Sequence, residues 1–361
     1  MDYLEVFRLY DEAAPIKYET KDTSRGENDY RVHVFAEWQN RKIVIKITDN
    51  DFTTVERVEH WAETIEAYLS AGYYCPRIIK NIYGDHAANI SLNGRSFCVY
   101  AEEFSKYKTA ETFPKSEITA NGSYIFLDDV LKSIGVIGAK HLNTADFPTG
   151  GCCILEKFAP SDPCDEIMQE SLNFKKTVEK SLPKHKERFD KIWRMFLENR
   201  NKLEKIYPFL PTSVFQGDLN YTNILLDDHR NFVGMLDFNL CGRDTIVNHL
   251  FTEIMIECDC CGYDVFYSKE ANEKTINLFL SKIRLIADIY EFSEAEINAA
   301  LLVYRYLKPF WWRPAHEIEN VKEDEQKVLK IFEWVENELT RTDIDFSGAM
   351  RKNEYCGTVR T

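Results

Sequence analysis

The chain lacks an excess of basic residues: 45 lysines and arginines face 59 aspartates and glutamates, a formal net charge of -14 at pH 7. That deficit argues against nucleic acid or an anionic membrane as partner, because both require clustered cations. It favours cationic ligands, although acidity also serves solubility alone. Long apolar runs are missing too, and no stretch approaches the ~20 residues of a membrane span. Met1 to Tyr10 carries Asp2, Glu5 and Arg8 among its apolar residues, so it has neither the basic start nor the apolar run of a signal peptide. A cytoplasmic protein is expected. There is no internal repeat and no low-complexity linker. The ten cysteines, spread over 361 residues, do not read as the disulfide framework of a short secreted chain. Cys258 and Cys261 have C-x-x-C spacing, but a structural zinc needs a second pair, and the adjacent Cys152 and Cys153 suit tetrahedral chelation poorly.

What is present is enough apolar material, 44% of residues, to fill two cores. The first hundred residues read as strands around one helix: Ile16 to Thr20, Tyr30 to Trp38 and Lys42 to Thr48, each β-branched or aromatic, then Val55, Val58, Ala62, Ile65 and Leu69 at helical spacing. Gly72 and Pro76 stop that helix. Asn93-Gly94, between Ile90 to Leu92 and Phe97 to Ala101, supplies the positive φ of a two-residue hairpin turn. From Leu127 onward the pattern is mostly helical, in segments that run to Thr340, interrupted by short extended pieces at Ile224 to Leu226 and Val233 to Leu236. These signals predict an α+β chain: an antiparallel sheet lobe with one inserted helix over 1–104, a larger helical lobe over 105–346, and a mobile tail over 347–361.

The chemistry concentrates in Val214-Phe-Gln-Gly-Asp-Leu-Asn-Tyr-Thr-Asn-Ile-Leu-Leu226 and Val233-Gly-Met-Leu-Asp-Phe-Asn239. An apolar strand presents Asp218, Asn223 precedes a second, and a third ends at Asp237. Two carboxylates and an amide at neighbouring strand ends suit phosphoryl transfer, in which one carboxylate orients the attacking hydroxyl and the other two groups hold Mg²⁺ on the phosphates of ATP. Taken singly, each residue would be read as an ordinary turn cap.

These two segments resemble the signature of the aminoglycoside phosphotransferase and choline kinase family, H-G-D-x-x-x-x-N followed by D-F or D-W, over roughly Lys17 to Glu257. The resemblance implies a bilobal protein-kinase-like fold and an ATP-dependent, magnesium-dependent small-molecule kinase. Asp218 would be its catalytic base, and Asn223 and Asp237 its metal ligands. Lys46, a charge inside Ile43-Val-Ile-Lys-Ile47, would grip the phosphates. The turn with Ser24, Gly26 and Asn28 would cover the phosphates with main-chain N–H groups. Glu102, Glu103 and Phe104 would hold adenine through the main chain. The family's helix glutamate, partner of the lysine, falls at Trp61 here, which leaves Glu59 and Glu63 as candidates.

The sequence departs from that pattern in three places. Gln216 replaces the histidine, Asn239 stands where an acid is frequent, and Asn248-His249-Leu250 replaces Asp-Leu-Ala. The expectation is that Asn248 or His249 holds the Gln216 amide. For the substrate, a small hydroxyl compound, Glu253, Glu257 and Asp259 would receive ammonium groups, the faces of Trp311 and Trp312 a quaternary ammonium, and Arg313 an anionic group. Amino sugars, choline-like and homoserine-like acceptors all remain open. So does a catalytically silent relative, acting as a nucleotide sensor or scaffold, on the strength of Gln216 and the missing helix glutamate.

Overall fold

The computed structural model describes residues 3–26, 28–51, 53–92, 94–143, 166–257 and 260–352. The chain forms two compact units, one of residues 1–117 with 216–242 and the other of 118–215 with 243–361.

In the first unit, strands β1 (Lys17–Asp22), β2 (Tyr30–Glu37), β3 (Lys42–Asp49), β4 (Ile78–Ile79), β5 (Ala87–Leu92) and β6 (Arg95–Glu103) form an antiparallel sheet. Its order is β1-β2-β3-β6-β4, with β5 also on β6. Alternation sorts the side chains. Val32, Val34, Ala36, Ile43, Ile45, Ile47, Val99 and Ala101 build a core with Val6, Phe7, Leu9 and Tyr10, contributed by and just after helix α1 (Leu4–Arg8). Its five residues are too few to show a periodicity in the sequence. The intervening residues Arg31, His33, Val44, Lys46 and Thr48 therefore belong to the other face.

Helix α2 (Val55–Ser70) follows β3, as its spacing predicts; the Thr54 hydroxyl caps it, accepting from the Arg57 amide, and Val58, Trp61, Ala62, Ile65 and Tyr68 are buried. Gly94 has φ +77° at the β5–β6 turn, whose other central residue, Asn93, lies outside the described residues.

The segment 216–242, assigned by the sequence to the helical lobe, packs with the sheet unit instead. Two backbone ladders hold it there. Ile224–Leu226 (β8) pairs with Lys108–Thr109 (β7) and with Phe232–Met235 (β9). Tyr74 donates to the Val233 carbonyl at 2.8 Å and accepts from the Met235 amide at 3.1 Å.

The second unit is helical: Leu127–Lys140, Glu166–Ser181, Lys186–Ile206, Ile246–Glu257, Lys269–Ala287, Glu294–Leu307, Arg313–Val321, Glu325–Thr340 and Phe346–Met350. Its core includes the rings of Phe174, Phe189, Phe196, Phe310 and Phe332, with Phe196 and Phe310 centroids 4.9 Å apart. A short ladder of Thr212–Phe215 with Gly242–Thr245 leads into the Ile246–Glu257 helix. The last helix corrects the expectation of a mobile tail after Phe346, because Ala349 and Met350 are buried; residues from 353 onward lie outside the described residues. Among the described residues no helix is long and apolar enough to cross a membrane.

A Cβ at position 234 would lie 1.7 Å from the Tyr74 carbonyl oxygen, so only glycine permits this approach. Gly234→Ala is expected to destabilise the protein by at least about 1–3 kcal/mol, read as a lower urea midpoint.

Candidate active site

The β2–β3–β6 register lines up His33, Lys46 and Tyr100. Lys46 is 8% exposed, and a cation so buried requires partners. Its Nζ lies 2.8 Å from Glu102 Oε1, 3.8 Å from Asp237 Oδ1 and 5.5 Å from the Tyr100 ring centroid. Burial opposes the charge, but Glu102, Tyr100 and Asp237 outweigh it and hold the lysine above its ordinary pKa. The Glu102 carboxyl is raised by burial against the pull of Lys46, with Asp237 adding to the rise.

The loop after Phe215 is organised by side-chain amides. Gln216 is fully buried; its Oε1 accepts from the Asp218 amide at 2.6 Å, and its Nε2 donates to the carbonyls of Leu236 at 3.2 Å and Asp237 at 3.0 Å. Asn223 Nδ2 donates to Asp218 Oδ2 at 3.0 Å and to its carbonyl at 2.9 Å. Asn220 Nδ2 donates to the other Asp218 oxygen. The Leu236 amide donates to the Asn223 carbonyl at 2.9 Å, which brings Asp237 next to that residue. Asp237 itself is held at φ 61°, ψ 69°, a left-handed conformation that a residue other than glycine adopts at a cost.

The structure thus gathers Lys46, Asp218, Asn223 and Asp237 within one unit, and it corrects several other expectations. Neither helix glutamate reaches the lysine: Glu59 bonds His86, and Glu63 lies 3.6 Å from His60. Trp61 fills the helix position instead, edge-on to Tyr100 at 5.6 Å, and β6 supplies the acid through the Glu102 side chain. The Glu103 amide donates to the Arg77 carbonyl at 2.9 Å, so it cannot also serve adenine. Phe104, half exposed, lies 6.5 Å from the Phe35 ring.

In the β1–β2 turn, Gly26 has φ +136° and Asn28 is exposed, but Ser24 turns inward: its hydroxyl accepts from the Arg31 amide at 3.0 Å. Asn248 donates to Asp244, and the His249 ring stacks on Phe215 at 4.2 Å, so neither is needed by Gln216, whose donors and acceptor already have main-chain partners.

Of the expected substrate residues, Glu253 is interior, 4.0 Å from His249, and thereby removed from an incoming ammonium. Glu257 ends its helix, and Asp259 and Cys258 lie outside the described residues, as do Cys152 and Cys153. Trp311 is half-buried and Trp312 exposed. The Arg313 guanidinium sits 4.8 Å from the Trp312 ring centroid and 5.2 Å from that of Tyr263, so the cation on these aromatics is the protein's own.

Sequence reasoning missed the basic side chains beside Lys46. A cavity of about 150 Å³ is lined by Arg25, Arg31, His33, Lys46, Asp237 and Asn239, together with three threonines and Tyr100. Burial and the neighbouring Lys46 press the His33 pKa down to about 4, which leaves the imidazole neutral. The alternation of Arg31, His33 and Phe35 with Val32, Val34 and Ala36 was a legible signal, since it puts His33 on the face of Lys46.

A sheet ordered β1-β2-β3-β6, a helix inserted after β3, a paired lysine on β3 and the Asp218–Asn223–Asp237 segment packed with that sheet define an α+β protein-kinase-like fold. Solved structures similar to the chain include a microcompartment-associated aminopropanol kinase, 10% identical over 97% of this chain and 98% of that one with a TM-score of 0.47. An amicoumacin kinase in complex with AMP-PNP and Ca²⁺ is 13% identical over 95% and 98%, with a TM-score of 0.47. A choline kinase from Cryptosporidium parvum is 15% identical over 96% and 94%, with a TM-score of 0.41. No family model and no curated protein sequence matches the chain.

Gln216→Leu strands an amide and two carbonyls, and is expected to cost roughly 2–3 kcal/mol in denaturant unfolding.

Two buried groups in the second unit give opposite pH responses. Burial presses the His249 pKa down to about 3 from an ordinary 6.5, so its contribution is lost as pH falls through that window. Asp244, which accepts from Tyr207, Asn248 and the Thr245 amide, is pushed by burial up to about 7 from 3.8, so its contribution is lost as pH rises between those values. Against the parent, Asp244→Asn should lose stability more steeply on acidification from pH 6.5 to 4, by up to about 1.4 kcal/mol per unit. His249→Leu should lose it less steeply.

Proposed function

We propose that the chain is an ATP-dependent kinase that transfers the γ-phosphate to a hydroxyl of a small molecule. The observation that carries this reading is the 3.8 Å approach of Lys46 Nζ to Asp237 Oδ1, in the same unit in which Asn223 is bonded to the Asp218 carboxylate. Asp218 is the base: both its oxygens are oriented by amides, so it is positioned to accept the proton of an incoming hydroxyl. Lys46 stays charged and offers its ammonium to phosphate oxygens.

The donors suit Mg²⁺, a hard cation that takes oxygen ligands. Asn223 uses its nitrogen on Asp218, which leaves its carbonyl oxygen, with the Thr222 hydroxyl at 3.5 Å, as a ligand beside the Asp237 carboxylate. When bound there, the ion would neutralise charge on the phosphates. The chain's own residues supply placement, which is most of what phosphoryl transfer requires.

The two grounds for a silent relative lose their force in this geometry. Lys46 has its acid in Glu102, and Gln216 has all its partners. The acceptor is proposed as a small hydroxyl compound; with Arg313 over Trp312 and Tyr263, and Glu253 interior, those groups give no support to a quaternary ammonium in particular.

The test is labelled-ATP turnover with Mg²⁺ against amino sugars, choline, ethanolamine, homoserine and macrolides. At least one acceptor is expected to be phosphorylated, with Asp218→Asn and Asp237→Asn each slower by about 10²- to 10⁴-fold. A parent protein that neither binds Mg-ATP in calorimetry nor turns it over would sink the reading.

A further inference from the structure

We propose that the β1–β2 hairpin holds a nucleotide's polyphosphate through the side chains of Arg25 and His33, with Arg31 set behind them. This inference rests on the proposed use of ATP and adds the residues that would read its β- and γ-phosphates.

Four main-chain amides of this segment, those of Thr23, Ser24, Arg25 and Asp29, are engaged in the hairpin itself. Thr23 donates to the Arg31 carbonyl at 2.8 Å, Arg25 to the Asp29 carbonyl at 3.0 Å and Asp29 to the Gly26 carbonyl at 3.3 Å. The Ser24 amide donates to Asp22 Oδ1 at 2.9 Å, and the Ser24 hydroxyl takes the Arg31 amide. An anion nest needs several such N–H groups pointing together at the ligand, and these four are already bonded within the hairpin.

Side chains can replace them. Arg25, Arg31, His33 and Lys46 all line the cavity of about 150 Å³ that also contains Asp237. Sites for whole small molecules run from ~300 Å³ upward, so this space suits a phosphate chain and not a complete nucleotide. In a chain of net charge -14, three permanent cations, Arg25, Arg31 and Lys46, are brought to one small cavity.

Each basic group has a distinct part. Arg31 is fixed by Nε on Asp29 Oδ1 at 2.6 Å, and Asp29 is anchored in turn by Asn50 Nδ2 at 3.0 Å, so its guanidinium plane is set in advance. Arg25, exposed at the turn, is long enough to swing onto an arriving phosphate. His33, neutral and cross-strand from Lys46, donates a ring N–H without adding like charge beside the lysine.

Calorimetric titration of ATP, ADP and AMP with Mg²⁺ into the parent, Arg25→Ala, Arg25→Lys and His33→Ala tests this, with circular dichroism to confirm the fold. Arg25→Ala and His33→Ala are expected to weaken ATP roughly tenfold and leave AMP within about twofold, because AMP lacks the phosphates these side chains hold. Arg25→Lys should recover part of the loss. Should both alanine variants bind ATP as the parent does, or lose ATP and AMP alike, the inference fails while the kinase reading stands. A parent that binds no nucleotide overturns the kinase reading and this inference together.

Discussion

A single buried carboxamide joins the loop that carries Asp218 to the strand end that carries Asp237. The Gln216 side chain accepts from the Asp218 amide and donates to the carbonyls of Leu236 and Asp237, while its main-chain N–H donates to the Tyr68 hydroxyl on α2 at 3.0 Å. All three polar functions of the side chain are thereby satisfied, the condition under which a buried amide rigidifies its surroundings. Histidine at this position would bring a titratable ring; glutamine makes the same kind of link with groups that keep one protonation state across the physiological range. The placement of Asp218, Asn223 and Asp237 depends on this tie, and with it the chemistry proposed for them.

The second constraint is the counter-ion of Lys46. A glutamate on a helix can be withdrawn when the helix rotates or slides, which turns the ion pair into a switch. Glu102 sits on β6, hydrogen-bonded along its length to β3, so its backbone cannot be withdrawn from Lys46 without opening that ladder. The tryptophan in the helix position, Trp61, packs against Tyr100 and makes α2 part of the structural support of the pair. Lys46 is therefore kept beside its counter-ion by the sheet.

Much of this was legible in the sequence. The strands around Val34, Ile45 and Val99 and the helix of Val58, Ala62 and Ile65 follow from period 2 and period 3.6 patterns, and the Asp218–Asn223–Asp237 spacing picks out residues that the fold brings together with Lys46 in one unit. What escaped depends on pairings across strands. Glu102 lies 56 residues from Lys46, and nothing local tells that it, and not Glu59 or Glu63, neutralises the lysine. The partners of the Gln216 side chain are main-chain groups, which carry no sequence signature. The grouping of 216–242 with the sheet follows from a backbone contact at Tyr74 that composition does not encode. Arg313 over Trp312 and Tyr263 likewise needs the fold of the chain between 263 and 313 before it can be read.

The contact between Tyr74 and Gly234 bears on how this protein can diverge. Where two main chains touch with no side chain between them, their separation is set by the hydrogen bonds that join them, and with glycine kept at 234 it does not depend on the size of neighbouring side chains. Apolar residues on the far face of the sheet can then be exchanged over generations without shifting the segment that ends at Asp237. A lineage of such proteins is free to drift widely in its cores while the acid keeps its address.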